Sequence, residues 1–112
     1  MKIETTILKN LLQNEDYARK VLPFLNDEYF TENSDKIVFN QINNFILKYN
    51  SLPNKEALNI ELGDAKITEE DFKDSVNLIT EISKDVQEFA DLSWLLDSTE
   101  KFCQDKAIYN AV

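Results

Sequence analysis

The only abundant reactive side chains in this 112-residue chain are carboxylates, 21 of them against 12 Lys and Arg. Several stand three residues apart: Glu61 and Asp64, Glu88 and Asp91, Glu32 and Asp35, Asp71 and Asp74, Asp97 and Glu100. On a helix that spacing places both acids on one face. Such pairs on neighbouring helices can hold Mg²⁺, as in all-α nucleotide pyrophosphohydrolases, so a Mg²⁺-dependent nucleotide hydrolase is one enzyme reading. An acid-rich chain also produces these pairs by chance, and Glu61–Asp64 flanks an expected helix end, a poor place for a rigid cage. A solvated acidic face is the plainer reading.

Other chemistry is excluded by count. There is no His, so no Ser-His-Asp or Cys-His set can be assembled. One Cys cannot build a Cys/His zinc site, and one Gly cannot supply a phosphate-cradling loop or a dinucleotide fingerprint. Cys103 sits in an apolar row and reads as a core thiol. It has no partner for an intrachain disulfide, which suits a reducing compartment. No signal peptide and no membrane-spanning run are apparent, so the expected location is the cytoplasm.

The net charge is −9, and it is uneven. Residues 1–56 carry 7 basic and 8 acidic side chains, whereas residues 57–112 carry 5 and 13. Phosphate neutralisation needs clustered Lys and Arg, so direct binding of DNA, RNA or an anionic membrane is disfavoured. A basic protein partner fits the sign better. A free-standing acidic adapter or DNA mimic is a further reading, but Lys66, Lys73, Lys84, Lys101 and Lys106 interrupt the acids.

These side chains must be positioned by helices. Gly and Pro are too few for a chain of short strands, and apolar residues recur at helical spacing. The spacing predicts an all-α domain of five or six helices. The first covers about 4–13, with Ile7, Leu8, Leu11 and Leu12 inward. A second runs from Asp16 to Leu22 and ends at Pro23. Asn26 to Phe30 forms a short turn anchoring two aromatics. Ser34 caps a third helix over 35–50, with Val38, Ile42, Phe45 and Tyr49 inward, widened by Ile37 and Ile46. A fourth covers 54–62 and stops at Gly63, which suits a positive-φ position. Thr68 caps a fifth over 69–84 that buries Phe72, Val76, Ile79 and Ile82. A last helix begins near Asp91 and carries three apolar rows: Leu92, Leu96, Cys103 and Ala107; Leu95, Phe102 and Tyr109; Trp94, Ile108 and Val112. One small domain cannot cover all three. The chain is therefore expected to be cut inside a helix, with an ordinary frayed end as the alternative. Trp94, the single Trp, is either half-buried core or an interface anchor.

The ordered series resembles a known family. The first helix is followed by Tyr17 to Phe30, ending Asn-Asp-Glu-Tyr-Phe. Ile37-Val38-Phe39 and Ile42 lie on the next helix, and Leu52-Pro53 precedes Ala57-Leu58. Ser93-Trp94-Leu95-Leu96, Thr99 to Phe102 and Lys106 to Ala111 complete the series. The whole is similar to the N-terminal domain of DnaB-type replicative helicases, nearest to the T-even-type phage branch. The resemblance implies a compact helical head over residues 1–90 and, over 91–112, the start of a helical hairpin. It implies a collar and assembly domain of a hexameric, ATP-driven 5′–3′ DNA helicase. Its partners would be copies of itself, primase and the helicase loader. ATP, Mg²⁺ and DNA would be bound by a motor domain absent from this chain, leaving these 112 residues non-catalytic. Trp94, Phe102, Ile108 and Tyr109 are the candidate protein-contact residues; no catalytic, cofactor or metal residue is assigned. The setting would be the cytoplasm of an infected bacterial cell.

Overall fold

A computed structural model describes residues 2–84 and 91–110, with the side chains of Tyr109 and Asn110 outside that description. Its α-helices are α1 (Ile3–Gln13), α2 (Glu15–Val21), α3 (Asn33–Tyr49), α4 (Lys55–Gly63), α5 (Glu69–Ile82) and α6 (Leu92–Asn110). Two 3-10 turns, Leu22–Phe24 and Asp27–Tyr29, join α2 to α3. Among the described residues there is no strand, and the fold is all-α as expected from the periodicity.

Short polar residues set the helix boundaries. Asn14 closes α1 and opens α2, its side chain accepting the Tyr17 N–H at 3.1 Å. Pro23 sits in the turn that ends α2. Asn54 caps α4 through the Ala57 N–H at 2.8 Å, and Thr68 caps α5 through the Asp71 N–H at 3.1 Å. Asp91 opens α6, Oδ1 accepting from the Ser93 and Trp94 N–H groups.

Two boundaries differ from expectation. Helix α3 begins at Asn33, with Glu32 at the cap, because the Glu32 carbonyl already accepts the Lys36 N–H at 3.1 Å. Ser34 thus lies inside the first turn. Gly63 is the last residue of α4 and has no positive φ. That helix closes instead by 3-10-type bonds from Asp64 to Glu61 and from Ala65 to Leu62, so no left-handed residue is needed. The left-handed position is Asn50, φ 54°, at the end of α3. Arg19 holds it there, donating to the Asn50 carbonyl and side-chain oxygens at 3.1 Å each.

One core runs through the six described helices. Ile7, Leu8 and Leu11 from α1, Tyr17 from α2, Ile42 from α3, Leu58 and Leu62 from α4, Ile79 and Ile82 from α5, and Leu95 from α6 are fully buried. Each buried aliphatic side chain contributes about 1.5–3 kcal/mol relative to exposure. The buried stripe of α3 is Val38, Phe39, Ile42 and Ile46, whereas Phe45 is half-buried and Tyr49 is exposed. On α5 the buried stripe is Ser75, Leu78, Ile79 and Ile82. The expected Phe72 is exposed and Val76 is half-buried, because α5 turns its stripe toward α1, α3 and α4 at once. Gln13 Nε2 ties the end of α1 to the Ile82 carbonyl at 2.7 Å.

Candidate protein-contact faces

Helix α6 positions most of the residues expected to meet partners. Its core-facing row is Leu95, Thr99 and Phe102. Phe102 packs on Phe30, ring centroids 5.7 Å apart, and Phe30 packs on Phe39 at 5.2 Å. Phe102 is therefore a core residue of this chain, although the reading by rows offered it as a contact residue. Its ring is taken by an aromatic delivered from the Asp27–Tyr29 turn. Lys106 Nζ lies 5.9 Å from the same ring and caps it toward solvent.

Trp94 and Ile108 stand out of the core, 53% and 70% exposed. Fourteen positions apart, they fall close to one line along the helix, because four turns of 3.6 residues nearly return to the same azimuth. Lys101 and Asp105 lie between them on that line and are exposed. The side chain of Tyr109 lies outside the described residues, as does Val112.

On the other flank of α6 an open groove of about 570 Å³ runs against α2 and the two 3-10 turns. Phe24, Tyr29, Leu96, Cys103 and Ala107 supply its apolar lining, with Lys20 and Glu100 at its rim. Cys103 is half-buried, and burial pushes its thiol pKa up, which lowers the thiolate fraction and the nucleophilicity of the sulfur. Phe24 is 71% exposed in this groove and escaped the row-by-row reading. The signal for it was Leu-Pro-Phe-Leu: in the three-residue turn around Pro23, successive apolar side chains cannot all face inward. Leu47, 76% exposed on α3, belongs to a neighbouring groove along Leu22 and Pro23.

The acidic pairs separate into two groups. Glu61 and Asp64 are exposed at the end of α4, and Asp91 is used as a helix cap. Glu88 lies outside the described residues. Among the described residues no group of three His, Cys, Asp or Glu could hold a metal ion. The nucleotide-hydrolase reading therefore lacks a metal cage among them. Glu32, Asp35 and Asp74, by contrast, converge on one cleft together with Glu81. Asp35 is only 4% exposed, and burial raises its carboxyl pKa, Lys2 lowering it and Glu4, Glu32 and Glu81 adding to the rise. The sequence signal for Asp35 was present: it extends the Val38–Ile42 row by one step of three, so a helix from residue 33 must carry it inward.

No described helix is long and apolar enough to cross a membrane. No protein-family profile matches the chain. In comparison with known proteins, the chain is 33% identical over 105 residues to a protein of Enterobacteria phage T4 described as a DnaB-like replicative helicase. The aligned stretch is 94% of this chain and 22% of that helicase, so the chain spans about a fifth of its relative's length. A fold of helices alone, with the ordered motifs from Tyr17 to Lys106 in place, agrees with that relationship. By sequence this chain is a relative of a DnaB-type replicative helicase across nearly its whole length, in agreement with its resemblance to the N-terminal domain of that family.

Proposed function

We propose that this chain is the collar and assembly domain of a phage replicative hexameric DNA helicase, a docking platform for primase and helicase loader. The observation that supports it is the pairing of a match that runs along nearly the whole of this chain to about a fifth of a helicase with a helical fold that leaves Trp94, Ile108 and Phe24 exposed. On this reading residues 1–90 form the head and 91–112 begin the hairpin through which copies of the domain associate. The boundary abuts residues 85–90, which lie outside the described residues. Trp94 and Ile108 on one flank of α6, and Phe24 with Leu96 on the other, are the contact residues of that platform. Phe102 supports them from the core.

ATP and Mg²⁺ belong, on this reading, to a motor domain separate from these residues, and the 112-residue chain has no catalytic step of its own. Its residues do not fit a nucleotide site: a single Gly cannot form a phosphate-binding loop. DNA would be gripped by the motor, since the head carries a net charge of the wrong sign. The setting is the cytoplasm of the infected cell.

The test is a titration of the ¹⁵N-labelled chain with unlabelled primase from the same genome, followed by amide spectra. Shifts and broadening confined to α6 and the Leu22–Phe24 turn, lost in the double variant Trp94→Glu/Ile108→Glu, are the expected result. An unperturbed spectrum with both primase and loader in excess would overturn the docking role.

A further inference from the structure

Between α1, α3 and α5 the fold leaves an open cleft of about 800 Å³. Glu32 and Asp35 enter it from the start of α3, and Asp74 and Glu81 from α5. Among the described residues the cleft has one cation, Lys2, and it is engaged at the edge: its Nζ lies 4.0 Å from Glu32 Oε1, both side chains being more than half exposed. Asp35 lies deeper. It is 4% exposed, and its Oδ2 is buried with no hydrogen-bond partner among the described residues.

An ionised carboxylate presents about four acceptor positions. Burying it without donors is unfavourable. Glu4, Glu32 and Glu81 add like charge around Asp35, opposed among the described residues by Lys2. The arrangement is thus deficient in donors and in positive charge. The described carboxylates are too dispersed to ligate a metal together. A cation that spreads several donors over a plane suits dispersed acids better. A guanidinium carries five N–H donors, is weakly hydrated, and pairs with buried carboxylates more readily than an ammonium. Leu78, 8% exposed at the same cleft, offers an apolar wall for the methylenes of such a side chain.

We infer that this cleft receives an arginine side chain from a basic segment of a partner protein, with Asp35 as the buried anchor and Glu32, Asp74 and Glu81 as the surrounding acids. The inference stands on the cleft alone and does not depend on the collar role.

The test uses the 112-residue chain and two short peptides, alternating alanine with arginine or, as the neutral control, alanine with citrulline. Saturable amide shifts over Glu32–Lys36 and Asp74–Leu78 with the arginine peptide only are expected. Asp35→Asn should weaken binding about tenfold, the loss of one charge-assisted bond in a buried site. The exposed variants Asp74→Asn and Glu81→Gln should weaken it about threefold each, and they guard against a folding artefact at Asp35. Glu100→Gln, far along α6, should leave binding unchanged. Equal affinity of wild type and Asp35→Asn, or shifts centred on Asp97 and Asp105 instead, would overturn the assignment. So would saturation of the same amides by Mg²⁺ alone, which would make the cleft a metal site.

Discussion

The phenolic oxygen of Tyr17 lies 2.6 Å from Oγ1 of Thr99, joining α2 to α6 across 82 residues of sequence. Thr99 Oγ1 is also 2.7 Å from the Leu95 carbonyl, a group that can only accept. The single hydroxyl hydrogen of Thr99 is therefore committed to Leu95, and Tyr17 must be the donor to Thr99. Both residues are buried, so this short chain of bonds is a polar seam between α2 and α6.

Removing the donor should be milder than removing the acceptor. Tyr17→Phe is expected to lower unfolding stability by about 1 kcal/mol, since Thr99 keeps its bond to Leu95. Thr99→Val leaves a buried phenol without a partner and should lose about 1–3 kcal/mol. The double variant should lose less than the sum of the two, because its members share one bond. Urea unfolding of the four proteins checks this; strict additivity would show the seam to be energetically idle.

The same burial makes the chain sensitive to alkali. Burial lifts the Tyr17 pKa from its ordinary value of 10.0 to about 12, against the lowering effect of the Thr99 bond. The folded state then holds a proton that the unfolded state has released. Stability from this group is fully present below pH 10 and is lost as pH rises toward 12, with a slope of up to about 1.4 kcal/mol per pH unit. In Tyr17→Phe that component of the decline should be missing. Parallel unfolding curves for wild type and variant between pH 10 and 12 would contradict the shift.

Asp35 carries the same sign in a lower pH range. Burial raises its carboxyl pKa, so the folded protein favours the protonated form and the charged form is unfavourable to folding. The associated stability is present below the ordinary carboxylate pKa and is lost as pH rises through the raised folded value. Asp35→Asn should therefore raise the thermal midpoint at pH 7, with the advantage over wild type vanishing in acid. Calorimetry of both proteins at several pH values between 3 and 7 decides it, and a lower midpoint for the variant at neutral pH would refute the account.

The aromatic centre should be the least tolerant position. Phe30 is 1% exposed and stacks on Phe39 and Phe102 at once. Phe30→Ala removes a filled volume that neighbouring rings cannot collapse into and should lose about 3–5 kcal/mol. Domains of this size have roughly 5–15 kcal/mol in hand, so the variant should unfold at low urea or fail to fold. Phe24→Ala, two turns away in the exposed groove, should change stability by about 0.5 kcal/mol or less.

Much of the architecture is legible in the residue order. The caps at Asn14, Asn54, Thr68 and Asp91 and the stop at Pro23 are local chemistry, satisfied within three or four residues, and they place helices α1, α2, α4, α5 and α6 to within a residue or two. The apolar row of α1 reads directly, because that helix has one crowded neighbourhood. The rows of α3 and α5 read less well. Several apolar residues compete for the inward position on each, and periodicity alone cannot choose between Phe72 and Leu78, or between Phe45 and Phe39.

Composition, local spacing and the order of motifs establish that this chain is helical, acidic, unable to form a His, zinc or phosphate-loop site, and similar to a replicative helicase domain. Packing of the helices settled that Phe102 is core while Trp94 and Ile108 face outward, that Phe24 opens a groove, and that Asp35 is buried in a cleft with Glu32, Asp74 and Glu81. The reason is physical. Helical periodicity specifies which residues share a face, but which face is buried depends on how many neighbours reach it. An aromatic such as Phe30, arriving from seventy-two positions upstream of Phe102, is invisible until the chain closes.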